Sequence, residues 1–297
     1  MPTSRLVSGL VAIIIAGTAI LLGGWYFTLL MGVVVYLGQK EYFQLVQAKG
    51  IAPAAKTTLA VSQVLLVTAM IAPAISEALF PVAGTFICFY LLFQPKFATI
   101  ADIATSILGL FYGGYLPSYL VRIRNLGIDV NPFSLSGYWP SDWSVWSDPM
   151  ALPMGLTITL LTFGCIWAAD IGGYVFGKTF GRTRLSEISP KKTVEGAVCG
   201  VLACVTVAMT GTWYLGWVGW PLSGLALGLL IGIASLLGDL TESMMKRDVG
   251  VKDSGTLIPG HGGILDRTDS YVFTGPLVYY FFTLLLPFLN TLMVRAA

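Results

Sequence analysis

Charge is scarce in this 297-residue chain: only 11% of residues are Asp, Glu, Lys or Arg, against about 25% in a typical soluble domain. With 56% hydrophobic residues and a mean hydropathy of +0.79, the chain cannot cover itself with a water-compatible surface. That excludes secreted disulfide scaffolds, disordered regulators and ordinary cytosolic enzymes, and leaves a polytopic membrane protein. A single histidine, His261, removes His-rich zinc sites and any two-histidine mechanism. The four cysteines (Cys88, Cys165, Cys199, Cys204) form no C-x-x-C pair and sit in apolar runs, so they read as small buried hydrophobes. A net charge of +2 is too small for a nucleic-acid partner. No internal repeat, low-complexity tract or separate soluble domain is present.

What fills the chain instead is apolar runs. A helix needs about 20 residues to cross the roughly 30 Å hydrocarbon layer. The pattern predicts an all-α fold with nine membrane spans, at about 6–23, 25–46, 57–75, 78–94, 97–121, 151–177, 195–216, 221–240 and 271–293. Gln39, Lys40 and Glu41 interrupt the second. The first, preceded by Arg5, resembles a signal peptide but lacks a clean small-residue cleavage pattern, so it reads as retained. Nine spans place fourteen of the 17 Lys and Arg on the side of the N-terminus, and only Arg122, Arg124 and Arg295 on the other. The positive-inside rule then puts the N-terminus in the cytoplasm and the C-terminus outside. Setting aside the loops after spans six and eight leaves five against three. Arg122–Pro149, rich in Gly, Pro, Ser and Trp, reads as an external loop lying against headgroups.

A charge at the centre of a span costs about 2.5–3.5 kcal/mol on insertion scales, so charge clustering carries information. Nine of the 15 acids lie from Asp170 onward, in or beside two polar loops, 178–194 and 241–270. Both loops emerge on one face of the membrane, so their charges are expected to converge on one cavity. Asp239, Glu242, Ser243 and Lys246 share a helix face by their i, i+3, i+4, i+7 spacing, and Asp266 and Asp269 stand three apart at the start of the last helix. Carboxylates on two helix ends among Lys and Arg suit Mg²⁺ coordinated together with phosphate oxygens. Gly255, Gly260, Gly262 and Gly263 allow close backbone approach, and their free N–H groups are expected to hold phosphate. In the first loop Lys178, Arg182, Lys191 and Lys192 are phosphate-type cations, and Ser189-Pro190 reads as a helix start aimed at an anion.

Gly172–Thr179 fits G-x-x-x-x-G-K-T letter for letter, but a P-loop follows a buried strand in an α/β domain, and here the run ends a long apolar helix. His261 suits phosphate binding or loop ordering better than proton abstraction, since a phosphate monoester nucleophile is already anionic. Asp102 and Glu77 lie outside the cluster; Asp102 reads as an interfacial helix-start residue.

The run Ser243-x-x-Lys246-Arg247, then Lys252-Asp253, then His261-Gly262-Gly263-x-x-Asp266-Arg267-x-Asp269 resembles the signature of the phosphatidate cytidylyltransferase family. The pieces around Asp170, Lys191–Lys192 and Gly238-Asp239 are similar to it as well, whereas the first 150 residues match only as generic apolar spans. The resemblance implies a nucleotidyltransferase converting CTP and phosphatidic acid into CDP-diacylglycerol and pyrophosphate. It implies one integrated membrane domain, with N-terminal helices and the external loop in 1–150 and the catalytic region in 151–297. Asp239 and Asp266 are expected to hold Mg²⁺, with Asp269, Lys246 and Arg247 at the reacting phosphates. Asp170, Lys178, Arg182, Ser189, Lys191, Lys192, Glu195, Lys252, Asp253, His261 and Arg267 are expected to hold substrate. The family also suggests K⁺ as a second cation and a homodimer. The protein is then expected in the bilayer (in a bacterium, the inner or plasma membrane), with a cytoplasmic active site. Two readings stay open beside it: a CTP-dependent lipid or polyprenol kinase and, ranked third, a transporter of an anionic lipid.

Overall fold

A computed structural model describes residues 2–128, 133–135, 137–140, 142–217, 219–257, 262–289 and 291, without the side chains of 2–6, 143, 147 and 149. Among these residues there is no strand; one isolated bridge pairs Arg184 with Thr193. The helices are α1 (Pro2–Leu22), α2 (Gly24–Ala48), α3 (Ala55–Ile71), α4 (Pro73–Leu92), α5 (Ile100–Leu110), α6 (Leu116–Arg124), α7 (Met154–Phe180), α8 (Val194–Tyr214), α9 (Trp220–Asp248) and α10 (Leu265–Tyr280). A π-helical turn, Phe111–Tyr115, joins α5 to α6, and another, Phe281–Leu285, extends α10. Each predicted span overlaps helix among the described residues, although 57–75 runs across the break at Ala72 between α3 and α4. Five are long and apolar enough to cross a membrane: α4, α7, α8, α9 and the body Leu265–Leu289. The chain is an all-α membrane protein.

Two helices run well past the apolar stretches that announced them. α9 continues from the expected end near 240 to Asp248, and α10 starts at Leu265 instead of near 271. Backbone hydrogen bonding does not stop where the hydrocarbon does, so helical turns carry the charged residues beyond it. α6 likewise keeps Arg122 and Arg124 inside the helix, where the sequence suggested a loop.

The chain divides into two compact units. The first comprises Met1–Asn125, Asp129–Trp139 and Met244–Thr268. Its core packs Ala54, Leu65, Ala83, Ile87, Leu91 and Leu110. Polar ties cross this core: the Gln39 amide donates to Ser62 Oγ (2.7 Å) and to the Gly109 carbonyl (2.9 Å). Arg124, fully buried, donates from Nε to Ile20 O (2.6 Å) and from Nη2 to Leu21 O (3.1 Å), taking up carbonyls that the end of α1 leaves without helical partners. Arg122 donates to Glu77 (2.9 Å) and Ser76 (2.9 Å), tying α6 to the first turn of α4. Asp102 completes a capping box with Thr99 at the start of α5 and accepts the Ala52 N–H, the helix-start role its position suggested.

The second unit comprises Leu126–Ile128, Pro140–Ser243 and Asp269–Ala297. α7 and α8 lie against each other along most of their length. Small residues permit this: a Cβ on Gly200 would stand 2.7 Å from the Ala169 carbonyl, and one on Gly196 2.7 Å from the Gly173 carbonyl. Backbones in this near contact gain dispersion and interhelical packing that a lipid environment does not otherwise supply. Gly172–Thr179 lies wholly inside α7, with no strand before it and no loop to wrap a phosphate.

Candidate active site

The residues of the two charged stretches form one group within each unit. In the first unit the group is built on the loop between α9 and α10. Lys246 Nζ donates to Asp266 Oδ1 at 2.6 Å, with only 11% and 8% of the two side chains exposed. Asp266 Oδ2 accepts from Ser254 N–H (3.0 Å), Ser254 O–H (3.1 Å) and Gly263 N–H (2.8 Å). Lys246, two backbone N–H groups and, in alternation with Glu41, the Ser254 hydroxyl thus engage a carboxylate that has about four lone-pair sites to offer.

The second carboxylate of this group was not among the sequence candidates. Glu41, on α2 and 6% exposed, accepts Ile264 N–H on Oε1 (3.0 Å), and Leu265 N–H and Ser254 O–H on Oε2 (2.9 Å each). A carboxylate at the N-terminus of α10 satisfies orphan N–H groups and favours the positive end of the helix dipole. The glycine loop was expected to offer free N–H groups to phosphate; for Gly263 the structure corrects this. The N–H groups of Gly263, Ile264 and Leu265 already go to Asp266 and Glu41. The glycines admit the carboxylate itself: a Cβ on Gly255 would meet Glu41 Oε1 at 2.6 Å, and one on Gly263 would meet Oε2 at 2.2 Å. The signal that would have found Glu41 was present, since an acid inside an apolar helix is costly and needs a partner.

Around this core Arg247 donates to the Val251 carbonyl (2.8 Å), and Lys49 pairs with Asp248 (2.6 Å). Lys252, Asp253 and Arg267 are exposed. His261 and Gly260 lie outside the described residues.

In the second unit the group gathers on α7, α9 and α10. Lys192, from the loop before α8, places its ammonium on Asp239 Oδ2, and Ser243 O–H donates to Asp239 Oδ1 at 3.3 Å. Asp269, 8% exposed, accepts its neighbour's N–H from Ser270 (2.8 Å) and lies within electrostatic reach of Asp239, Asp170 and Lys192. Tyr271, within the field of Asp170 and Asp269, accepts the Trp167 indole N–H at 2.6 Å. The first polar loop, α9 and α10 therefore do converge here, through Lys192, Asp239 and Asp269.

The loop that carries Lys192 folds differently from the sequence expectation. Ser189-Pro190 is not a helix start: Ser189 sits in a turn whose carbonyl accepts Lys192 N–H (3.0 Å), and α8 begins at Val194. Thr193 is the N-cap, accepting Gly196 N–H on its hydroxyl, the role for which a Thr three residues before that amide is built. The backbone closes on itself through Leu185 N–H to Lys192 O (2.9 Å) and Val194 N–H to Thr183 O (2.9 Å). Glu195 holds the far side, accepting from Arg182 N–H (3.1 Å) and from Thr183 N–H and O–H. Lys178, Arg182 and Lys191 are exposed, Lys178 above the Tyr174 ring.

Asp269 lies within electrostatic reach of two further carboxylates and one ammonium, which leaves this group acidic, and that ammonium already rests on Asp239. All donors are oxygens, the chemistry that suits a hard divalent ion such as Mg²⁺. Among the described residues no group of three or more His, Cys, Asp or Glu is placed to hold a metal alone. Mg²⁺ usually binds one or two carboxylates and completes its shell with phosphate and water, so the donor set fits.

Comparison with known proteins gives a consistent picture. A family model described as "Cytidylyltransferase family" matches residues 3–285. The chain is 62% identical over 296 residues to the phosphatidate cytidylyltransferase of Synechocystis sp., covering 98% of this chain and all of that one. It is 40% identical over 279 residues to phosphatidate cytidylyltransferase 4, chloroplastic, of Arabidopsis thaliana, covering 89% of this chain and 69% of the relative. Over 42% of its length it is also 42% identical to a phosphatidate cytidylyltransferase of Staphylococcus aureus.

Proposed function

The chain belongs to the cytidylyltransferase family, and on that footing we propose that it transfers the cytidylyl group of CTP to phosphatidate, giving CDP-diacylglycerol and pyrophosphate. The match along the whole chain carries this reading. A phosphatidate phosphate oxygen attacks the α-phosphorus of CTP; the new P–O bond forms as the bond to the β-phosphate oxygen breaks, and pyrophosphate leaves in line. Such transfers ask little covalent chemistry of the protein and depend on positioning and charge neutralisation.

The residues divide that work. Lys192, resting on Asp239, is the cation best placed to exchange a carboxylate for a phosphate oxygen. Exposed Lys178, Arg182, Lys191, Lys252 and Arg267 supply further positive charge to the triphosphate and the lipid phosphate. Lys246 is held by Asp266 and Arg247 by a backbone carbonyl, so both present charge from ordered positions. Asp239, within electrostatic reach of Asp269, is proposed to hold Mg²⁺, and Asp266 is proposed as a Mg²⁺ ligand from the family motif that it carries. When bound, Mg²⁺ neutralises phosphate charge and aligns oxygens. A second, monovalent ion such as K⁺ and a homodimer belong to the same reading on family grounds.

Nine crossings with the active site cytoplasmic form the topology we propose. Support comes from the placement of Lys and Arg, and from the internal partners of Arg122 and Arg124, which make both poor markers of the outer side. The acyl chains of phosphatidate then stay in the bilayer. Purified protein incubated with labelled CTP, Mg²⁺ and phosphatidic acid tests the reading. CDP-diacylglycerol and pyrophosphate are expected; CDP with a phosphorylated lipid would make it a kinase, and lipid movement without nucleotide turnover a transporter.

A further inference from the structure

We infer that Glu41 is a positioning residue for the transfer reaction, acting through Ser254 and the first turn of α10 on Asp266. The inference rests on the cytidylyl-transfer reading. A carboxylate that only capped α10 would need the N–H groups of Ile264 and Leu265 and nothing more. Glu41 does more: Oε2 also accepts the Ser254 hydroxyl, and that oxygen lies 3.1 Å from Asp266 Oδ2. Ser254 has one hydroxyl proton, so it serves one carboxylate at a time and couples the two. The Ser254 N–H holds Asp266 from the same side (3.0 Å). Two parts of the loop between α9 and α10, Ser254-Gly255 and Gly263-Ile264, therefore close on one buried carboxylate.

This arrangement fixes how far α10 extends and which way its first-turn acid faces. It spends a buried carboxylate, 6% exposed and the one acid of α2, on a loop that also carries Lys252 and Asp253. Glu41 touches no place where a substrate phosphate is proposed to lie, so its loss should reach turnover through Asp266 and leave the binding cations where they are.

Glu41→Gln in the full chain is the test, because it keeps shape and puts a donor where only acceptors fit: either oxygen replaced by NH₂ faces an N–H. Steady-state kinetics with phosphatidate in mixed micelles, and hydrogen exchange of the peptides covering 254–265, are read side by side. A fall in kcat of at least about tenfold is expected, with KM for CTP within about threefold. Exchange at Ile264 and Leu265 should quicken by about tenfold or more while α7 and α8 keep wild-type protection. Wild-type kcat despite faster exchange would overturn the inference, and so would exchange raised along the whole chain with kcat and KM changed together. Should Glu41→Gln fail to fold, Ser254→Ala decides: it keeps both carboxylates and removes the coupling hydroxyl. A selective loss of kcat there supports the role, and unchanged kinetics sinks it. A wild-type protein that makes no CDP-diacylglycerol removes the transfer reading and this role together; an active wild type with an indifferent Glu41→Gln removes this role alone.

Discussion

Lys192 and Asp239, 47 residues apart in sequence, meet ammonium to carboxylate with 28% and 30% of their side chains exposed. The pair is neither a surface ion pair nor a sealed one. Each partner is reachable by an incoming ligand, and each is held ready by the other.

Asp239→Asn should therefore reduce turnover by about a hundredfold or more while the protein still inserts and folds, because a half-exposed site tolerates the neutral amide. Product formation from labelled CTP checks it. Near-normal turnover would remove Asp239 from the metal assignment.

Replacing Lys191 and Lys192 together by Ala should raise the KM for CTP or phosphatidate by about tenfold or more, with insertion intact. Wild-type kinetics in the double variant would show these lysines to be topology signals only.

Asp266→Asn should do two things at once. It turns one acceptor of a carboxylate surrounded by donors into a donor, and it removes the buried counter-charge from beside Lys246, 9% exposed. Breaking such a pair from one side costs about 3–5 kcal/mol, so a lower unfolding temperature is expected along with lost turnover. Unchanged stability would mean that Lys246 finds water or another acid.

Arg124→Ala should destabilise by about 1–3 kcal/mol, leaving the Ile20 and Leu21 carbonyls without their donor. Thermal unfolding in detergent reads the loss, with kcat per folded molecule unchanged. Arg124→Lys should recover only part of it, since a point ammonium cannot reproduce the planar fork.

Gly200→Ala should destabilise by about 1–3 kcal/mol through overpacking, because its new Cβ would press on the Ala169 carbonyl and the Gly173 backbone, neither of which can turn aside. A wild-type unfolding temperature would show that α7 and α8 can separate freely.

Much of the architecture was legible because hydropathy is written residue by residue. Apolar runs locate helices wherever the hydrocarbon leaves no other way to satisfy the backbone. The ends of helices were less legible. The charged turns of α9 to Asp248 and of α10 from Leu265 look like loop in composition, and Ser189-Pro190 looks like a helix start although Thr193 takes that place. The acids and cations of the site stood out by the cost of charge in a membrane, which is a property of each residue alone. Partnership is not such a property. Gly255 and Gly263 looked like part of a phosphate nest because nothing local says that Glu41, more than 200 residues earlier, packs against them.

The order of residues alone determined that this is a helical membrane protein with its charge reserved for a few segments, since both follow from what each side chain costs in lipid. Only the tertiary structure decided which carboxylate each donor finds. Lys192 goes to Asp239, Lys246 to Asp266, and the start of α10 to Glu41. Hydrogen bonds act over about 3 Å, and that distance is set by packing.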